Sequence, residues 1–301
     1  MLHFHECEYL LIKVRKSTPL ALLDIDAMFN LKKQNLQYVL FLALIFLSAC
    51  AHAKTENTPK PPPLLNFKVI RVLPHDAAHY TEGLVLHDGK FLESAGQYGE
   101  SGLYEIDIAS GKTLRSRKID GQFFAEGIAL AHGRIVQLTW REQTAFVYDL
   151  TLNPLRKVSY SGEGWGLASI NNDKELVMSD GTPILKFLDS DDYQLLRKIT
   201  VRDGEKEIMR LNELEAANGF IYANVWLTDM IAVIDPKDGR VAAWLDLAPL
   251  RTRFKKPAQW DEVDNVLNGI AYDPDSGHFY VTGKRWPVLF EIQIESPQRR
   301  H

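Results

Sequence analysis

The sequence predicts an all-β protein, a five-bladed β-propeller, and two observations carry that prediction. From Asn66 onward, four short apolar runs bounded by turn residues recur with a period of about forty to fifty residues, the range of propeller blades. The chain also spreads 14 Phe, 11 Tyr and 6 Trp over these runs, a composition suited to pleated, half-buried strands. A two-sheet sandwich would share the composition but would not explain the period. At 301 residues with 46% hydrophobic and 25% charged content, the chain has ample material for a sizeable core. A formal net charge of -4 offers no basic footprint for nucleic acid.

Residues 1–53 read as a segment ahead of the fold. Lys32 and Lys33 precede an apolar run over 36–47, which enters Leu47-Ser48-Ala49-Cys50. A charged start, an apolar middle and a small-residue end describe an export signal. The apolar run is short for a membrane span. Met28 is the expected start, because the residues before it stand oddly ahead of a signal. Leu-Ser-Ala-Cys resembles the lipobox of bacterial lipoproteins, in which the Cys is lipidated and becomes the mature N-terminus. Ala51-His52-Ala53 offers ordinary cleavage as the alternative. The expectation is an exported, periplasmic lipoprotein anchored through Cys50. The other cysteine, Cys7, lies upstream, so the folded region has no thiol for a disulfide or a metal. Residues 54–65, with prolines at 59, 61, 62 and 63, are expected to form an extended tether.

The propeller is expected over 66–295, with 296–301 as a tail. Its first runs repeat one word: Thr81-Glu82-Gly83-Leu84, Ala125-Glu126-Gly127-Ile128, Gly164-Trp165-Gly166-Leu167, Leu211-Asn212-Glu213-Leu214 and Leu267-Asn268-Gly269-Ile270. Gly127 admits close approach of another backbone or a ligand. Second runs end at Ala95, Trp140, Asp180, Trp226 and Lys284, and third runs carry an acid near their ends. The fifth unit has no fourth run. Residues 67–73 resemble the other fourth runs and precede the first unit, so this N-terminal strand is expected to complete the last blade and close the ring. Residues 249–266 are an insertion, read either as a solvated loop or as a flap over the channel mouth.

If the blades are equivalent, the starts of first strands and the ends of second strands ring one mouth. One column is then Glu82, Glu126, Trp165, Asn212 and Asn268; the other is Ala95, Trp140, Asp180, Trp226 and Lys284. Each has an ordinary structural explanation: tryptophans fill space between blades, asparagines cap loops, and Lys284 pairs with Asp180 or an adjacent acid. Together they have the aromatic walls and convergent polar groups of a small-ligand site. No metal-ligand set is read, and the histidines at 75, 79, 87, 132 and 278 are taken to be scattered. No Gly-x-Ser-x-Gly elbow is present either. Carboxylate acid/base chemistry remains, with amide and ammonium groups stabilising charge.

The words Tyr80-Thr81-Glu82-Gly83-Leu84, Phe123-Phe124-Ala125-Glu126-Gly127-Ile128, Gln137-Leu138-Thr139-Trp140, Asn224-Val225-Trp226 and Leu267-Asn268-Gly269-Ile270 resemble those of the plant and bacterial glutaminyl-peptide cyclotransferases. The resemblance spans about residues 66 to 295 and implies a five-bladed propeller. It implies conversion of an N-terminal glutamine to pyroglutamate with loss of ammonia, on peptides or proteins, without a cofactor or catalytic metal. It further implies that Glu126 is the acid/base carboxylate, and that Asn212 and Lys284 hold the γ-carboxamide oxygen. Phe124, Trp140, Trp165, Trp226 and Asn268 would line the substrate pocket. Glu82 departs from the glutamine usual in the family; a second acid either raises the proton affinity of Glu126 or binds the substrate's ammonium. The chain is expected to be monomeric. The rival reading is a non-catalytic propeller that binds a peptide or envelope partner at the same mouth. Having Glu126, Asn212 and Lys284 together favours the enzyme.

Overall fold

The computed structural model of the protein describes residues 60–298. The export segment, Cys7, Met28, Cys50, residues 54–59 and the last three residues lie outside the described residues.

Alternating apolar residues and frequent two-residue turns give five four-stranded antiparallel sheets among the described residues. A leading strand β1 (Phe67–Pro74) precedes the first complete blade, which is β2 (Thr81–His87), β3 (Lys90–Ala95), β4 (Gly102–Asp107) and β5 (Thr113–Lys118). Blade two is β6 (Ala125–Ala131), β7 (Arg134–Thr139), β8 (Thr144–Asp149) and β9 (Pro154–Ser159). Blade three is β10 (Leu167–Ile170), β11 (Glu175–Met178), β12 (Ile184–Asp189) and β13 (Leu195–Thr200). A small hairpin, β14 (Arg202–Asp203) and β15 (Lys206–Glu207), leads into blade four: β16 (Leu211–Ala217), β17 (Phe220–Val225), β18 (Met230–Ile234) and β19 (Val241–Asp246). Blade five contains β20 (Leu267–Asp273), β21 (His278–Gly283) and β22 (Val288–Ile294).

The first strands touch in a closed circuit, β2 to β6, β10, β16, β20 and back to β2, which makes the arrangement a five-bladed propeller. The core is distributed to match. Five apolar clusters lie one between each pair of neighbouring blades, for example Leu92, Leu103, Ile128, Ile135 and Tyr148 between the first two. No central apolar core is needed, because each blade buries both faces against its neighbours.

Outer strands explain how the edges are kept quiet. β5 and β9 are mostly exposed and β13 is half exposed; they carry Arg115, Lys118, Arg156, Lys157, Arg197 and Lys198, and such charges discourage edge pairing. β19 reads Val-Ala-Ala-Trp-Leu-Asp and is largely buried. Its edge is covered: Trp244 N–H donates to the Pro63 carbonyl at 2.9 Å, and Leu65 N–H to the Trp244 carbonyl at 2.8 Å. The C-terminal end of the expected tether is therefore part of the fold, with Leu65 itself buried. The chain then continues into β1, which pairs antiparallel with β22 from Phe67↔Ile294 to Pro74↔Val288.

Deleting Phe67–Pro74 should expose the β22 edge and remove Leu73 from the cluster between blades five and one. We expect loss of cooperative thermal unfolding and of soluble yield. Removing residues 1–59 should leave the melting temperature unchanged. A folded, active deletion of β1 would show that the ring closes without it.

Candidate active site

The inner strands come so close that side chains are excluded at the contact. A Cβ on Gly127 would lie 2.6 Å from the Trp165 carbonyl oxygen and from the Leu167 nitrogen; one on Gly166 would lie 2.0 Å from the Asn212 carbonyl oxygen. Gly127 N–H also donates to the Trp165 carbonyl at 2.7 Å, one blade to the next. This approach disrupts pairing with the second strands. Register shifts fall between Thr81 and Gly83, Ala125 and Ile128, Leu211 and Leu214, and Leu267 and Ile270. Glu82, Glu126, Asn212 and Asn268 all occupy these irregularities. A bulge frees a residue from the alternation of its strand and re-aims its side chain, here toward the mouth at the entry of the inner strands.

Glu126 is 5% exposed, and no hydrogen bond or ion pair from the described residues reaches its carboxylate. Burial, and then the neighbouring Glu82 carboxylate, push its carboxyl well above the ordinary range; Lys284 pulls it down, and Glu163 and Glu142 push it up. Glu82 is 1% exposed. Lys284 Nζ donates to Glu82 Oε1 at 2.5 Å, and Asn268 Nδ2 to Glu82 Oε2 at 3.1 Å. Burial raises the Glu82 carboxyl to about 7 against the opposing pull of Lys284. Lys284 Nζ also lies 4.3 Å from the centre of the Tyr80 ring, a cation over an aromatic face. The acid adjacent to Lys284 is thus Glu82. Asp180, the other candidate, pairs instead with Lys186 at 2.8 Å.

Aromatic side chains run from this polar group around the mouth. Phe124 meets Tyr80 at 6.2 Å, Tyr98 at 5.4 Å and Trp140 at 5.7 Å between ring centroids, and Trp165 meets Trp226 edge-on at 5.4 Å. Glu163 joins the two groups: its Oε2 accepts from Trp140 Nε1 at 2.9 Å and from Trp165 Nε1 at 3.0 Å. Three buried polar atoms on the site residues have no partner among the described residues, Asn212 Oδ1, Asn268 Oδ1 and Trp226 Nε1. Each such atom costs about 1–3 kcal/mol until a ligand satisfies it. Asn268 is different, since its amide also donates to the Thr81 carbonyl at 2.9 Å and ties blade five to blade one.

The structure therefore gathers Glu82, Glu126, Lys284, Asn268, Phe124 and the three tryptophans, with Asn212 on the same column. Sequence reasoning missed Glu163, although an acid between two glycines just ahead of Trp165 is a visible signal. It also missed the Tyr80 hydroxyl, which donates to Asp264 at 2.5 Å. Asp264 belongs to the insertion, and that insertion is anchored at both ends: Leu250, Asn265 and Val266 are buried, and Phe254 packs on Trp286 at 4.9 Å. The histidines are not all scattered. His75-Asp76-Ala77-Ala78-His79 has i, i+4 spacing, and both rings meet Glu93.

A propeller whose mouth holds an unpartnered buried carboxylate, an ammonium and an aromatic wall is equipped for acid/base work on a small polar group. Residues 40–294 match the family model described as glutamine cyclotransferase. A glutaminyl-peptide cyclotransferase of Arabidopsis thaliana is 38% identical over 233 residues, covering 76% of this chain and 71% of the relative. The crystal structure of Myxococcus xanthus glutaminyl cyclase matches with a TM-score of 0.70 at 36% identity, over 78% of this chain and 98% of that one. The chain belongs to the glutamine cyclotransferase family.

Glu163→Ala should leave both indoles without an acceptor. We expect KM to rise about tenfold, equivalent to ~1.4 kcal/mol, with kcat and melting temperature little changed. Glu163→Gln keeps an acceptor and should recover most of the affinity. Steady-state kinetics on a glutamine-first dipeptide decide it; an unchanged KM in Glu163→Ala would remove Glu163 from the site.

Proposed function

We propose that this glutamine cyclotransferase closes the N-terminal glutamine of a peptide or protein at the propeller mouth, with Glu126 moving the protons. The observation that carries the reading is the Glu126 carboxylate, buried at a strand bulge and left without a protein partner. The substrate's α-amine nitrogen bonds to the γ-carboxamide carbon, and the carbonyl oxygen gains negative charge. Glu126 accepts a proton from that nitrogen and returns one to the departing nitrogen. The C–N bond to the carboxamide nitrogen then breaks, leaving pyroglutamate and ammonia.

The reaction is intramolecular, so much of the barrier is removed by holding glutamine in its attacking conformer. Trp140, Trp165, Trp226 and Phe124 wall that conformer in. Asn212 and Lys284 face the developing oxyanion; an ammonium has three donors, and Glu82 occupies one. A carboxyl held above its ordinary range is the suitable shuttle, because it is a stronger base than an ordinary carboxylate and so takes the amine's proton more readily. Glu82 pairs with Lys284 within a buried site and supports the proton affinity of Glu126. The rival reading, a binding module without chemistry, has no use for Glu126, Asn212 and Lys284 together, and ammonia release from a glutamine-first dipeptide separates the two. Export and lipidation at Cys50 are proposed on the signal and lipobox residues alone.

Glu126→Gln keeps the shape but cannot accept the proton, so kcat should fall by about 10²–10⁴-fold with KM little altered. Its effect on stability has a definite sign. The folded protein retains a proton on Glu126 that the unfolded chain releases. The favourable contribution is therefore present below the ordinary carboxylate value and lost as pH rises through the raised folded value. At pH 8 the variant should melt at the same temperature or higher. Glu82→Gln should retain far more activity; if Glu82 were essential and Glu126 dispensable, the roles assigned here would be wrong. Cys50→Ser should release the protein from the membrane fraction, and an intact mass showing an unmodified N-terminus at Lys54 would refute the anchor.

A further inference from the structure

A buried cluster beside the site has no part in the chemistry above. Glu93 of β3 is fully buried and accepts from three side chains of one short segment: His75 Nε2 at 3.0 Å, His79 Nδ1 at 2.9 Å and Thr81 Oγ1 at 2.7 Å. That segment carries Tyr80 and leads directly to Glu82. It also grips the turn of blade five that presents Lys284. His75 Nδ1 lies 2.6 Å from the Trp286 carbonyl, His75 N–H donates to the Pro287 carbonyl at 3.1 Å, and Arg285 N–H donates to the His79 carbonyl at 2.8 Å. The turn itself is constrained, with Arg285 at φ 58°.

We propose that the Glu93–His75–His79 cluster is a positioning device that holds the Lys284 turn of blade five against the Tyr80–Glu82 segment of blade one, with His75 as a doubly protonated imidazolium. The inference rests on the role given to Lys284 above. The protonation state follows from geometry. A carbonyl and a carboxylate can only accept, so both His75 nitrogens must donate. The side chain is 3% exposed, and a buried cation needs such a partner.

A metal ion is the competing occupant of two histidines and a carboxylate. The nitrogens already stand at hydrogen-bond distance from the Glu93 oxygens, and Glu93 is satisfied by three donors. The cluster is complete as it stands.

The groups facing His75 are Glu93 from β3, His79 and Asp76 from its own segment, and the Trp286 carbonyl and Thr282 hydroxyl from blade five. The Tyr104 ring of β4 lies tilted against His79 with centroids 4.1 Å apart. Burial opposes the His75 charge, but Glu93 outweighs it and the net direction is upward. Burial likewise opposes the charge on Glu93, and the two histidines reverse the balance, leaving its carboxyl below the ordinary range. The His75 contribution is fully present below the ordinary histidine value and lost as pH rises through the raised one. The Glu93 contribution is lost only as pH falls through its depressed value.

The test uses the full chain. Nitrogen-15 NMR of histidine-labelled protein at pH 7.5, about one unit above the ordinary histidine value, should show both ring nitrogens of His75 protonated. A neutral tautomer would overturn the proposal, as would a stoichiometric metal retained by the native protein and lost in His79→Gln. In kinetics well below the melting temperature, His75→Gln and the milder Thr81→Val should each lower kcat, the former about tenfold. Neither should add a loss in a Lys284→Met background. Full additivity in that background would show that the cluster does not act through Lys284. If Lys284→Met itself leaves kcat intact, the inference fails together with the role of Lys284, while the assignment of Glu126 stands.

Discussion

Backbone contact between the inner strands is the constraint on which the rest of the molecule depends. Five strands must meet around one axis, and at Gly127 and Gly166 they meet so tightly that even a methyl group would collide with the next blade's backbone. Strands packed this closely cannot also keep perfect register with their own second strands. The bulges at Glu82, Glu126, Asn212 and Asn268 are the consequence. Each bulge releases a residue from the in-and-out alternation that would otherwise send it between blades. The ring therefore concentrates polar side chains at one mouth as a by-product of closing. Blade four shows the alternative solution, since Glu213 stands where other blades have glycine. Its carboxylate accepts from Leu84 N–H at 3.3 Å and Ile270 N–H at 2.9 Å, spanning toward blades one and five.

Closure between the first and last blades adds a second constraint. Four of the five junctions between neighbours join blades that follow one another in the chain. The junction of blades five and one unites the two ends of the folded region. It is unusually polar: Lys284 with Glu82, Asn268 with Glu82 and the Thr81 carbonyl, and His75 with Glu93 and the Trp286 carbonyl. Hydrogen bonds are directional where apolar packing is not, so these contacts define how the two ends register. β1 fixes the same junction from outside by pairing with β22. The residues that hold the ring shut and those that hold Lys284 are, to a large extent, the same residues.

How much of this was legible depends on whether a feature repeats. The blade count, the strand runs and both columns could be read because each appears several times at one period. Asn212 and Glu126 stood out through their place in the column, Glu126 also as an acid heading an apolar strand, and their expected roles came from the family resemblance. Glu163 was overlooked because no other blade has a counterpart, and its function, accepting from two indoles, exists only in three dimensions. The histidine pair was visible as His75-x-x-x-His79 but gained meaning only when β3 brought Glu93 between the rings. The proline-rich stretch misled for a similar reason. Pro63 and Leu65 look like linker by composition, yet the apolar outer strand β19 needs a cover, and they provide it.

The charges at the mouth make a final argument about what the site can do at rest. Glu82, Glu126 and Lys284 share a volume from which water is largely excluded, and three full charges there would be costly. One lysine can balance one carboxylate. Geometry decides which, because Glu82 takes the Lys284 bond and the Asn268 amide while Glu126 has neither. Glu126 is therefore the carboxyl left without a cation, and burial beside Glu82 raises its affinity for a proton. In the proposed mechanism a proton held on Glu126 passes to the departing nitrogen only as Glu126 takes one from the attacking amine. The pairing of Glu82 with Lys284 thus sets the two carboxyls apart, one matched to a cation and the other held above the ordinary range.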